Sequence, residues 1–106
     1  MHLVVKRFRS EGPALDVHEE AVAFPFEEGE DLKRYAQVTV EIPGEAPLDV
    51  QAHIVGSGEI VHISYLRNLA ILADFAGSLV SYHHAVIVLQ SGYRVAASVE
   101  KRGKGA

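Results

Sequence analysis

The chain has 106 residues, 48% of them hydrophobic and 23% charged, with no cysteine and no tryptophan. This length suits one domain with a single core, and the composition excludes disorder, a collagen repeat and a disulfide scaffold. Ten Lys and Arg against fourteen Asp and Glu leave a formal net charge of −4, which argues against nucleic-acid binding, because that affinity rests on a basic face.

A chain without cysteine forgoes disulfides, thiolate chemistry and Cys-type zinc sites, which fits a cytoplasmic location. Residues 2–9 (His-Leu-Val-Val-Lys-Arg-Phe-Arg) read as a first strand, with no signal-peptide pattern ahead of them. Phe8, between Arg7 and Arg9, is expected in the core. Ser10-Glu11-Gly12-Pro13 is turn chemistry, and residues 14–24 are extended in pattern without a clean face. The acidic stretch Glu27-Glu28-Gly29-Glu30-Asp31 reads as a loop or a single helical turn.

From Ala36 to Ile42 and from Leu48 to Val55, apolar and polar residues alternate strictly, as a strand with one buried face requires. A five-residue loop at Pro43–Pro47 then sets Ile42 opposite Leu48, Val40 opposite Val50 and Val38 opposite Ala52. Gly56-Ser57-Gly58-Glu59 suits a tight hairpin, which sets Ile54 opposite Val61, Ala52 opposite Ile63 and Val50 opposite Tyr65. All three strands then share one dry face.

Leu69, Leu72, Ala73, Ala76, Leu79 and Val80 recur at helical spacing and predict a helix over 68–82, capped by Asn68. Phe75 to Tyr93 carries no formal charge, but His83, His84 and Gln90 argue for a buried helix running into a buried strand, not a membrane span. Residues 85–89 and 93–99 predict a second hairpin around Ser91-Gly92, with Val88 opposite Val95 and Val86 opposite Ala97. The basic tail 101–106 is expected to be flexible.

The chemistry rests on the histidines. The predicted register puts His53 opposite His62 on the wet face, with Gln37 in the same row and Thr39, Gln51 and Ser64 in the next. Cross-strand neighbours lie about 5 Å apart, close enough to share a metal. Glu59, Glu41, Asp49 or a histidine from elsewhere would supply the third ligand. The competing reading is a set of half-exposed polar residues on a solvated sheet. His83-His84 suit a helix C-terminus, where imidazoles interact with the dipole. Ser64 is two residues from His62, about 7 Å along a strand, and no nucleophile elbow or phosphate loop is present. Asp16, His18, Glu19 and Glu20 read as alternating charge on an edge strand. Tyr35, Val55 and Ile60 form a small apolar patch on the wet face.

Together these features predict an α+β fold: a mostly antiparallel sheet of five to seven strands packed on one main helix at 68–82, in a single domain over 1–100. The apolar outer surfaces predict a homo-oligomer, a dimer in the simplest case. The favoured function is a cytoplasmic, non-catalytic binding or assembly module that contacts neither membrane nor nucleic acid. The alternative is a small metal-dependent or ligand-binding enzyme. Its site would be His53, His62, Gln37, Gln51 and Ser64, with His53 and His62 as metal ligands.

Overall fold

The computed structural model describes residues 1–11, 14–24, 34–55, 60–78 and 85–100. These form eight strands: β1 (His2–Glu11), β2 (Ala14–Ala23), β3 (Arg34–Val40), β4 (Leu48–Val55), β5 (Ile60–Arg67), β6 (Ala70–Ser78), β7 (Ala85–Val88) and β8 (Arg94–Glu100). They build two four-stranded antiparallel sheets, ordered β2-β1-β8-β7 and β3-β4-β5-β6. The chain lays down a hairpin in the first sheet, runs the second sheet as a meander, and returns so that β8 pairs with β1.

One core lies between the sheets. Leu3, Val5, Ala85, Leu89, Tyr93, Val95 and Ala97 come from the first sheet and its loop, and Val38, Val40, Leu48, Val50, Ala52, Ile54, Val61 and Ile63 from the second. Tyr65 is fully buried and ties the two together. Its hydroxyl donates to Ala85 O at 2.6 Å and lies 3.4 Å from Val95 O, while its ring meets Phe75 edge-on at 6.0 Å. A buried phenol needs such a partner.

The expected α+β fold is therefore corrected to all-β among the described residues, and the predicted helix is the principal error. Asn68 is not a helix cap. It and Leu69 take φ of 51° and 67°, a left-handed pair that turns β5 directly into β6. In β6, Ala73, Phe75 and Gly77 pair with the inward residues Tyr65, Ile63 and Val61 of β5, while Asp74 and Ala76 point outward. The register shifts between Tyr65 and Leu66, which pair with Ala73 and Ile71, so Leu72 is an extra residue on β6. That bulge breaks the two-residue period and leaves apolar residues at intervals of three and four, which mimics a helix. The second sheet's dry face is thus covered by the first sheet.

The β4–β5 register is the predicted one, with Val50, Ala52 and Ile54 opposite Tyr65, Ile63 and Val61. Between β3 and β4 the pairing is shifted by two: Val40 faces Leu48, Val38 faces Val50 and Ala36 faces Ala52. Ile42 leaves the ladder and starts a turn in which Glu45 N donates to its carbonyl at 3.0 Å. Gly44 there has φ of 80°, the left-handed value that a Pro-Gly type II turn requires. A slip of two keeps every side chain on its face.

The last hairpin differs by one. Leu89 N donates to Tyr93 O and Gly92 N to Leu89 O, closing a loop of Gln90, Ser91 and Gly92 with Gly92 at φ 94°. Ile87 consequently faces Val95 and Ala85 faces Ala97, and Val86 and Val88 turn outward. Residues 14–24, left without a clean face by their sequence, supply the edge strand β2. The Gly12-Pro13 step, Glu27–Asp31, the Gly56–Glu59 loop, residues 79–82 of the predicted helix, His83-His84 and the 101–106 tail lie outside the described residues. No helix of the described chain is long and apolar enough to cross a membrane.

Candidate functional site

The outer face of the second sheet carries the predicted residues and groups most of them. His53 pairs with His62 across β4 and β5, and their rings stand 5.1 Å apart, edge to face at 80°. Gln51 pairs with Ser64 in the next row. Because β3 is shifted by two, Gln37 sits beside Gln51 and not beside His53; Tyr35 takes the place beside His53. Thr39, expected beside Gln51, pairs with Asp49 and donates to its carboxylate at 2.8 Å.

The strand in place of the helix adds a residue that the sequence reading missed. Asp74 of β6 pairs with Ser64, so the second row reads Gln37, Gln51, Ser64, Asp74. Ser64 Oγ donates to Asp74 Oδ1 at 3.0 Å, and His62 Nε2 contacts the same carboxylate oxygen. At the other end, Tyr35 Oη and Gln51 Nε2 both donate to Gln37 Oε1, at 2.8 and 3.0 Å. The alternation of Asp74, Ala76 and Ser78 with Ala73, Phe75 and Gly77 was the available signal for this strand face.

The electrostatics distinguish the two imidazoles. Burial holds His53 below the usual histidine range, and the charge of neighbouring His62 adds to that drop while Asp74 opposes it. The Asp74 carboxylate lies directly on His62 Nε2, so that nitrogen is the donor in the contact. The Ser64 hydroxyl is engaged by Asp74, with the carboxylate between serine and imidazole; a serine nucleophile would need the imidazole in the middle.

Of the third metal ligands considered, Asp49 accepts from Thr39, Glu41 is exposed at the end of β3, and Glu59 lies outside the described residues. Among the described residues, no three His, Asp or Glu side chains are arranged to hold a metal ion. The apolar patch loses coherence: Tyr35 and Ile60 are exposed, but Tyr35 lies in the His53 row with its hydroxyl on Gln37. The acidic group on β2 splits by alternation, with His18 on Glu20 at 3.0 Å, Asp16 near the Tyr93 hydroxyl, and Glu19 on the other face beside Lys6.

A second surface lies on the outside of the first sheet. β1 turns Leu3 and Val5 into the core, so Phe8 falls on the opposite face and is partly buried there, which corrects its expected core position. Phe8 pairs with Val17 and Arg94, and Arg94 pairs with Val88. Leu15, Val17, Val86 and Val88 are 65%, 50%, 39% and 68% exposed. Lys6 and Glu19 form an ion pair of 3.7 Å along one side of this apolar cluster.

No protein-family model, curated protein or solved structure matches the chain.

Proposed function

We propose that this chain is a cytoplasmic, non-catalytic binding module that self-associates through the outer face of the sheet β2-β1-β8-β7. One observation carries the reading. Leu15 and Val17 remain exposed beside Phe8, and Val86 and Val88 on the far side of Arg94, all on one face and outside the core between the sheets. Exposed apolar side chains gathered on one face mark contact surfaces. A second copy is the simplest occupant, because a two-fold contact lets the same patch serve both partners and sets each Lys6–Glu19 pair at the rim.

Light scattering coupled to size-exclusion chromatography tests this. The expected mass at micromolar concentration is about twice the 11.5 kDa of the chain, falling to the monomer in a Val17→Asp, Val88→Asp double variant. A wild-type mass near 11.5 kDa overturns the reading. The second reading, a ligand- or metal-binding role for the histidine face, is favoured by Asp74 seated on His62.

A further inference from the structure

We propose that Arg7 and Arg9, gathered against the Tyr93 ring at one end of the sandwich, bind the carboxylate or phosphate group of a small ligand. The site lies away from the outer face of the first sheet and does not depend on the assembly surface there. Placement, charge and preorganisation support it.

Alternation along β1 puts Leu3, Val5, Arg7 and Arg9 on its inner face, and the first two are fully buried in the core. Arg7 pairs with the fully buried Val95 of β8 and is itself partly buried, as is Arg9. The strand thus carries two cations inward where the core ends. The end of β5 and the loops after β3 and β7 meet at this same end. Glu45 accepts from Arg67 at 3.2 Å and from Ser91 N at 3.1 Å, and Arg7 Nη1 donates to Glu41 O at 2.6 Å. Loops gathered at one end of a sandwich are where binding groups concentrate.

The charge there is uneven. The guanidiniums of Arg7 and Arg9 stand 5.5 and 5.3 Å from the centre of the Tyr93 ring. A cation–π contact holds each of them and neutralises neither. Among the described residues Arg7 reaches no carboxylate: Glu41 O is its one hydrogen-bond acceptor, and its Nε is buried without a partner. The acids nearby are engaged elsewhere, Asp16 at 3.3 Å from the Tyr93 hydroxyl and Glu20 on His18 at 3.0 Å. A partly buried cation short of a counter-charge is unfavourable. An oxyanion accepting from the remaining donors of Arg7 supplies both the charge and the acceptors. The planar guanidinium matches carboxylate and phosphate oxygens as an ammonium does not.

The platform is already rigid. Tyr93 is buried, its carbonyl accepts from Leu89 N at 2.8 Å, and its N–H lies 3.4 Å from Ser91 Oγ. Its ring holds both guanidiniums without a loop having to be ordered first, which keeps the cost of binding low.

Nuclear magnetic resonance shifts of the full chain, titrated with inorganic phosphate and separately with acetate at constant ionic strength, test the proposal. The expected result is a saturable response centred on Arg7, Arg9 and Tyr93. Affinity should fall about tenfold or more in Arg7→Gln or Arg9→Gln, as the loss of charge-assisted hydrogen bonds requires. Tighter binding of phosphate assigns a phosphate-bearing ligand, and tighter binding of acetate a carboxylate. Arg34→Gln, at the opposite end of β3 from Glu41, should leave binding unchanged. Circular dichroism confirms that each variant keeps its sheets, and Arg9→Gln, which spares the Arg7–Glu41 contact, decides the matter if Arg7→Gln does not. A response to neither anion, or undiminished binding in Arg9→Gln, overturns the site. Undiminished binding in Tyr93→Leu overturns the role given to the ring.

Discussion

Replacing Tyr65 with Phe removes one oxygen atom from the seam between the sheets. The ring is fully buried, and its hydroxyl is a donor to Ala85 O at 2.6 Å with Val95 O at 3.4 Å. The variant keeps the apolar ring and its edge contact with Phe75, so the transfer energy of the aromatic group is unchanged. What is lost is one buried hydrogen bond, leaving a carbonyl short of its donor, at a cost of about 1–2 kcal/mol. For a domain of this size that corresponds to a fall in Tm of roughly 5–12 °C. Tyr93→Phe is the internal control, because its hydroxyl makes only a 3.3 Å contact with the exposed Asp16. It should cost no more than about 0.5 kcal/mol. Thermal and urea unfolding of the three proteins give the comparison. Equal stability of wild type and Tyr65→Phe would refute the bridging role of Tyr65.

Glu45 joins three segments, accepting from Arg67 Nη1 at 3.2 Å and from Ser91 N at 3.1 Å, and Ser91 foremost, with Arg67, outweighs burial to hold its carboxyl below the usual range. A lowered carboxylate stabilises the fold above its unfolded-state value near 4.5, so Glu45→Gln should cost about 1–2 kcal/mol at pH 7 and progressively less as pH falls below that value in urea melts. Leu69 is exposed at φ 67°, and Leu69→Gly should stabilise the Asn68–Leu69 turn by about 0.5–1 kcal/mol while Leu69→Ala does not. The shifted last hairpin predicts that, in a Val17→Asp background where assembly is already weakened, Ile87→Asp on the core side destabilises by about 3 kcal/mol or more, whereas Val88→Asp stays within about 1 kcal/mol in the same urea assay.

The legible parts of the sequence were those with an unbroken two-residue period. β4 alternates over Leu48–Ile54 and β5 over Val61–Tyr65, and only four residues separate the two strands, so the His53–His62 pair was placed correctly. β3 also alternates, but its pairing was fixed by loop length. Ile42 looked like a strand residue and instead anchors the Pro43-Gly44 turn, which moved Gln37 one row from where it was expected. β6 failed for a different reason. Its bulge at Leu72 and the left-handed Asn68–Leu69 pair are single-residue events that turn a period of two into an apparent period near 3.6. Asp74 was lost to the site with it, because a residue inside the predicted 68–82 helix is not looked for beside Ser64. The last hairpin shows how strongly one loop residue matters. Its slip by one exchanges the faces of Val86 and Ile87, and so sends two valines to the surface that the assembly reading uses.

The position of β6 carries the most weight, since it decides the fold and delivers Asp74 to His62. Cross-strand nuclear Overhauser effects measured over residues 60–78 test it directly. The account predicts contacts linking Ser64 to Asp74, Ile63 to Phe75 and His62 to Ala76. A run of i to i+3 contacts through residues 70–78, with those pairs silent, would contradict it.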